Sequence, residues 1–173
     1  MHTETVDTII IGGGLSGIYA AFLLSKTKKP YVLLEARDRV GGRILSPEHQ
    51  GFFADLGPSW YWPAINPKVN ALLQTLGLNG YPQFETGMGR FQARDGHVET
   101  IDGYPMEPPG CRLFGGMISV VEGLCSRIPK DVIRLNHPVC EIERLENGVQ
   151  VTVGRLDEHS HLRGGLGQVV LVQ

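Results

Sequence analysis

The 173-residue sequence predicts an α/β fold, a parallel sheet with an accessory β-rich segment. Three observations predict it. A short apolar strand over residues 6–11 runs into Gly12-Gly13-Gly14, a helix over 15–26 leaves that turn, and a second apolar strand follows over 31–35. A strand–helix–strand unit of this length requires a parallel pair joined by a right-handed crossover. Farther along, Asp95-Gly96 and Asn147-Gly148 are two-residue turn signals between strand-like runs, and they predict hairpins.

The remaining elements follow in order. The helix over 15–26 is apolar nearly all round (Leu15, Ile18, Ala20, Ala21, Phe22, Leu23, Leu24), which predicts burial on every side. Lys26, Lys28 and Lys29 complement the negative end of its dipole. Asn66 is placed to cap a second helix, Pro67 suits its first position, Val69, Leu72, Leu73 and Leu76 repeat at helical spacing, and Gly77 stops it. Residues 84–101 read as short strands, and Pro105, Pro108, Pro109 and Gly110 as an irregular connection. A third helix over 117–128 ends at Pro129. A strand over 132–135 precedes a hairpin of 139–145 with 149–153. Residues 154–168 are polar and glycine-rich, and 169–172 form a last apolar run. The sequence stops inside that run, an ending that predicts the first part of something longer.

Composition narrows the function classes. Sixteen basic residues against 18 acidic give a formal net charge of −2, which argues against a nucleic-acid or membrane binder that works through a large basic field. No run of about 18 apolar residues exists to span a membrane, and the acidic start Met1-His2-Thr3-Glu4 lacks the pattern of a secretory signal. Cys111, Cys125 and Cys140 form no CxxC pair and leave one over in any pairing, so they read as three small buried thiols in a reducing, cytoplasmic setting. Glycine is the outlier: there are 23, roughly twice the usual share of about 7%, so positions of close backbone approach are sought.

Gly12, Gly14 and Gly17 supply G-x-G-x-x-G between an apolar strand and a helix, the context that gives this weak pattern meaning. Gly12 makes the tight turn, Gly14 lets the backbone approach a pyrophosphate, and Gly17 lets helix pack on strand; the free amides around Leu15 and Ser16 attract the anion. Glu35 ends the second strand about 20 residues after Gly14, where an acid accepts both ribose hydroxyls of an adenosine and disfavours a 2′-phosphate. FAD and NAD both remain at this point. Ala36-Arg37-Asp38-Arg39-Val40-Gly41-Gly42-Arg43 then offers a second Gly-Gly beside an arginine, which the longer ribityl–pyrophosphate arm of FAD requires and NAD does not. Arg43 is the better cofactor contact, since a guanidinium matches phosphate geometry; Arg37 and Arg39 are compatible with a solvent-facing position.

Residues 34–43 resemble the signature of the flavin-containing amine oxidase family, which includes monoamine, polyamine and putrescine oxidases. The resemblance extends to Asp55-Leu56-Gly57-Pro58-Ser59-Trp60, similar to a loop that passes near the flavin ring but with Pro58 where a second glycine is usual. It also takes in Asn66-Pro67 with its helix, Arg112-Leu113-Phe114-Gly115-Gly116-Met117, and the strand leading to Val139. It implies a Rossmann-type FAD-binding parallel sheet within a two-domain flavoprotein that is incomplete here. The domains implied are an FAD-binding unit with flavin loop and helix over 1–80, an accessory substrate-domain-like segment over 81–115, and a return to the FAD-binding domain over 116–173, truncated at the C-terminus. The cofactor residues implied are Gly12, Gly14, Leu15, Ser16, Gly17, Glu35, Ala36, Arg37, Gly42, Arg43, Gly57, Ser59, Trp60 and, through its backbone at the adenine, Val139. The implied activity is oxidation of an amine by hydride transfer to flavin, with reoxidation by O2 to H2O2. No catalytic acid, base or metal ligand is assigned, and a second chain or the family's C-terminal half is expected to complete the site. A flavin desaturase, a catalytically incomplete FAD-binding fragment and an NAD-binding module are the competing readings. Trp60-Tyr61-Trp62 suits either a cavity wall or ordinary packing, and His159 with His161 reads as a solvated pair in a polar loop.

Overall fold

The computed structural model describes residues 4–103, 107–154, 159–164 and 169–171. Strand β1 (Thr5–Val6) breaks from β2 (Thr8–Ile11) at Asp7, where the amides of Asp7 and Thr8 both donate to the Pro30 carbonyl. Helix α1 (Leu15–Leu24) crosses to β3 (Tyr31–Leu34), and β2 and β3 pair in parallel, Ile10 opposite Leu33. The small hairpin β4 (Glu48–His49) and β5 (Phe52–Phe53) precedes α2 (Pro67–Leu76). Strand β6 (Gly80–Pro82) and the hairpin of β7 (Met88–Gln92) with β8 (Val98–Asp102) come next, then β9 (Cys111–Leu113) and α3 (Ile118–Cys125). After a 3-10 turn, the chain continues through β10 (Ile133–Arg134), β11 (Val139–Leu145), β12 (Gly148–Gly154), β13 (His159–Gly164) and β14 (Val169–Leu171).

Two four-stranded sheets organise the chain. The all-parallel sheet runs β10-β3-β2-β14, so the last apolar run returns beside β2, Val170 opposite Ile10. The second runs β1-β13-β12-β11 and is antiparallel except where β1 meets β13. Alternation along the parallel strands explains why they read as unbroken apolar runs. Ile10 and Leu33 point to a core shared with α1, α2 and α3 (Ile18, Phe22, Leu73, Val121, Leu124), while Ile9, Val32 and Leu34 point to the other side, against Val151 and Val153 of β12.

The structure corrects several local expectations. Helix α1 is buried on one face only: Ile18 and Ala21 are fully covered, but Tyr19 and Leu23 stand 41% and 46% exposed, because among the described residues the sheet and α3 pack against a single side. Lys26 lies over the Phe22 ring at 4.1 Å. Asn66 holds the N-cap position of α2 without a side-chain capping bond, whereas Gly77 ends the helix in the left-handed region as expected. His159 and His161 fall on β13 instead of in a loop, because this segment pairs with β12 and β1. Cys140 is exposed, since β11 is an edge strand; Cys111 and Cys125 are half-buried. Pro105, Met1 to Thr3, residues 155–158 and 165–168, and Val172 lie outside the described residues. No helix among the described residues is long and apolar enough to cross a membrane.

Candidate functional site

The strand–turn–helix junction carries the site. Gly12 turns the chain at φ 100°, and its amide donates to the Leu34 carbonyl at 2.8 Å, locking the turn to the end of β3. Helix α1 then begins at Gly14 with no side-chain cap, so its first amides, which a helix leaves without intrahelical acceptors, remain available. Gly17 is glycine for packing: a Cβ there would overlap the Gly12 carbonyl oxygen. Gly14 is glycine for a different reason. A Cβ there would meet no protein atom within 4 Å, so the space it would fill belongs to the cavity.

Glu35 closes the other side. Its side chain is buried at 8% exposure, Oε2 accepts the Gly13 amide at 2.6 Å, and Oε1 accepts the Arg37 amide at 2.9 Å. Two backbone donors thus hold the carboxylate in place, and each oxygen retains lone-pair capacity for a further donor. The Glu35 carbonyl accepts the His137 amide at 2.9 Å, and the Arg37 carbonyl accepts the Asn136 amide at 2.9 Å, so the segment after β10 braces this strand end.

The loop that follows folds back on the glycine turn. The Gly41 amide donates to the Gly13 carbonyl at 2.8 Å, and a Cβ at Gly42 would stand 3.1 Å from Gly14 Cα. Arg39, expected at a solvent-facing position, is half-buried and donates to the carbonyls of Val40, Gly42 and Ile44 at 3.1–3.3 Å. Arg37 reaches the Gly42 carbonyl at 3.3 Å. Arg43 is exposed and engages no acceptor among the described residues.

These elements enclose a cavity of about 940 Å³, at the upper end of the range for small-molecule sites. Gly12, Gly14, Leu15, Ser16, Glu35, Ala36, Arg37, Gly42, Arg43 and Gly57 line it. Gly41, Ile44, Leu56 and Pro58 line it too; the positive φ of 105° at Gly41 is the one signal among these that its place in the Gly-Gly pair carries. Four candidates lie elsewhere. Gly17 packs beneath the turn. The Ser59 hydroxyl shares its proton between the carbonyls of Asp55 and Gly57 in its own loop. Trp60 borders a second cavity of about 500 Å³; its Nε1–H donates to Gln83 Oε1 at 2.7 Å and the Arg112 guanidinium lies 4.9 Å from its ring centre. Val139 opens β11, two residues beyond His137, outside the lining. Among the described residues no group of three or more His, Cys, Asp or Glu side chains could hold a metal ion.

Residues 10–76 match the family model described as an NAD(P)-binding Rossmann-like domain, and residues 88–161 match that of flavin containing amine oxidoreductase. The putrescine oxidase of Kocuria rosea is 34% identical over 125 residues, 70% of this chain and 26% of that protein. Polyamine oxidase 2 of Arabidopsis thaliana is 35% identical over 107 residues, 62% of this chain and 21% of that protein. Human amine oxidase [flavin-containing] B is 43% identical over 76 residues, 43% of this chain and 14% of that protein. A solved structure of putrescine oxidase bound to putrescine superposes with a TM-score of 0.79 at 19% identity, covering 98% of this chain and 58% of that one, which shows the shared fold. The alignments span about a quarter or less of the length of these curated relatives. With the glycine turn, the acid at the end of β3 and the second Gly-Gly in one cavity, the chain is similar to part of the length of flavin-containing amine oxidoreductases.

Proposed function

We propose that the chain binds the adenosine–pyrophosphate portion of FAD in this cavity and contributes it to an amine oxidase. The observation that carries the proposal is Gly14, which opens on empty space at the uncapped start of α1, with the buried Glu35 carboxylate lining the same cavity. The residues present fit the group. First-turn amides and Arg43 suit a diphosphate, and an acid on the second strand suits the ribose hydroxyls. When bound, FAD would supply two-electron oxidation of an amine and reoxidation by O2; the protein's part is to hold and orient it. Ala36 and Arg37 would line the ribose end, and Gly57 and Leu56 the end nearer the ring. Segments 1–80 and 116–173 would share the cofactor domain, with 81–115 as the accessory part, and three free thiols suit a reducing, cytoplasmic setting.

A second reading, a cofactor-binding part that needs additional chain to become active, is favoured by exposed apolar residues: Leu56 at 67%, Phe84 at 78% and Phe114 at 63%. One experiment addresses both. Titration calorimetry with FAD, and the visible spectrum after gel filtration, test the cavity; peroxide release on a panel of amines tests the chemistry. FAD retained with peroxide formed supports the full proposal. FAD retained without peroxide supports the second reading, and no heat and no colour overturns both.

A further inference from the structure

We propose that Arg39 is a positioning residue for the diphosphate: it fixes the peptide unit between Gly42 and Arg43 so that the Arg43 N–H faces the cavity. A guanidinium presents its donors in a rigid planar fork, and this one spends them on backbone carbonyls, Nη1 on Val40 and Ile44 at 3.2 and 3.3 Å and Nη2 on Gly42 at 3.1 Å. Arg37 Nη1 adds a second donor to the Gly42 carbonyl at 3.3 Å. In a planar trans peptide the C=O and N–H point in opposite directions. The unit between Val40 and Gly41, two peptides earlier, obeys this rule: the Val40 carbonyl is on Arg39, and the Gly41 N–H points away, to the Gly13 carbonyl at 2.8 Å. With the Gly42 carbonyl drawn onto Arg39 and Arg37, the Arg43 N–H must point away from them, and among the described residues no protein acceptor takes it.

The destination of that N–H is the cavity. Gly42 and Arg43 both line it, and Gly42 stands against Gly14, so the amide arrives beside the first turn of α1. A second observation points to an anion. Arg37, Arg39 and Arg43 lie within seven residues, and among the described residues none forms an ion pair. Three cations without a carboxylate partner favour a multiply charged ligand between loop and helix. The inference rests on the reading of the cavity as a dinucleotide site, and assigns Arg39 an indirect role there, through backbone it holds.

The test is 1H–15N correlation spectroscopy of the 173-residue chain titrated with inorganic pyrophosphate and with FAD, in the wild type and in Arg39→Lys. Lysine keeps the charge but gathers its donors on one compact nitrogen, and so loses the planar fork with which Nη1 and Nη2 span the three carbonyls. The expected result is that the Arg43 amide shifts together with Leu15, Ser16 and Gly17 in the wild type. In Arg39→Lys the α1 amides still respond, the Arg43 response is lost, and FAD affinity falls by about tenfold or more. A lysine variant that binds FAD within about twofold of wild type, with the Arg43 amide responding as before, overturns the assignment. Should Arg39→Lys not fold, the wild-type titration decides. Arg43 moving with α1 supports the assignment, and α1 amides moving while Arg43 stays still overturns it. No response at α1 to either ligand overturns the cavity reading itself.

Discussion

Glu35 Oε2 accepts the Gly13 amide at 2.6 Å while Oε1 accepts the Arg37 amide at 2.9 Å, so one buried carboxylate joins the glycine turn before α1 to the chain leaving β3. The pair makes the acid a structural tie, and under the proposed function its remaining lone pairs make it a ligand acceptor as well. Glu35→Gln places an amide nitrogen against one backbone donor whichever way it is turned. The expected loss is about 1–3 kcal/mol of stability without ligand, and FAD affinity falls about tenfold or more. Urea unfolding with and without FAD measures the two effects separately; a variant unchanged in both contradicts the role of Glu35.

The glycines of the turn separate fold from ligand. Gly17→Ala drives a Cβ into the Gly12 carbonyl oxygen, so α1 must shift off the strand. The expected cost is about 1–3 kcal/mol, read as a lower unfolding midpoint with no FAD present. Gly14→Ala meets no protein atom within 4 Å, and φ −71° suits alanine. Its midpoint stays within about 0.5 kcal/mol of wild type while FAD affinity drops at least tenfold, because the methyl occupies the ligand's space. Equal effects of the two substitutions on stability contradict this division.

What the sequence made legible was local. Residues 6–35 announce strand, turn, helix and strand within one stretch, and Gly12, Gly14 and Glu35 take their expected places because each is set by its immediate neighbours. The illegible parts depend on distant partners. Arg39 reads as one more exposed cation until Ile44 and Gly42 curl around it. Gly57 reads as a flavin-loop glycine, yet a Cβ there would overlap the Arg43 carbonyl oxygen, a contact between two loops. Strands β6 and β9 pair Tyr81 with Arg112 across 31 residues, and neither short run carries a strong strand signal.

Asp55 shows the same long reach. Its Oδ1 accepts the Met117 amide at 2.9 Å and the Ser46 hydroxyl, and Ser46 Oγ accepts the Ile118 amide at 3.2 Å. The two side chains satisfy the start of α3, which has no cap of its own, and tie the loop lining the cavity to the core. Asp55→Ala is expected to cost about 1–2 kcal/mol. It should also raise hydrogen exchange at Met117 and Ile118 more than at α1. Uniform exchange changes across both helices would contradict a local cap.

Alkaline pH should destabilise the chain. Burial pushes the Cys125 thiol above its ordinary 9.0, with the Glu122 carboxylate adding to the shift. Burial likewise raises the Tyr31 and Tyr61 phenols above 10.0, Asp131 adding at Tyr31 against a partial offset from Ser25, and the Cys111 thiol adding at Tyr61. A folded pKa above the unfolded one means the folded state holds its proton more tightly. That stability is therefore fully present below the unfolded value and is lost as pH rises through the folded one. The urea midpoint should hold steady to about pH 8 and fall progressively from about pH 9 upward. Thiol chemistry gives an independent check, since the thiolate is the nucleophile. Exposed Cys140 should be alkylated by iodoacetamide roughly tenfold faster than half-buried Cys125 at neutral pH, read by peptide mass spectrometry. Equal rates would mean that the α3 thiol is neither covered nor held protonated.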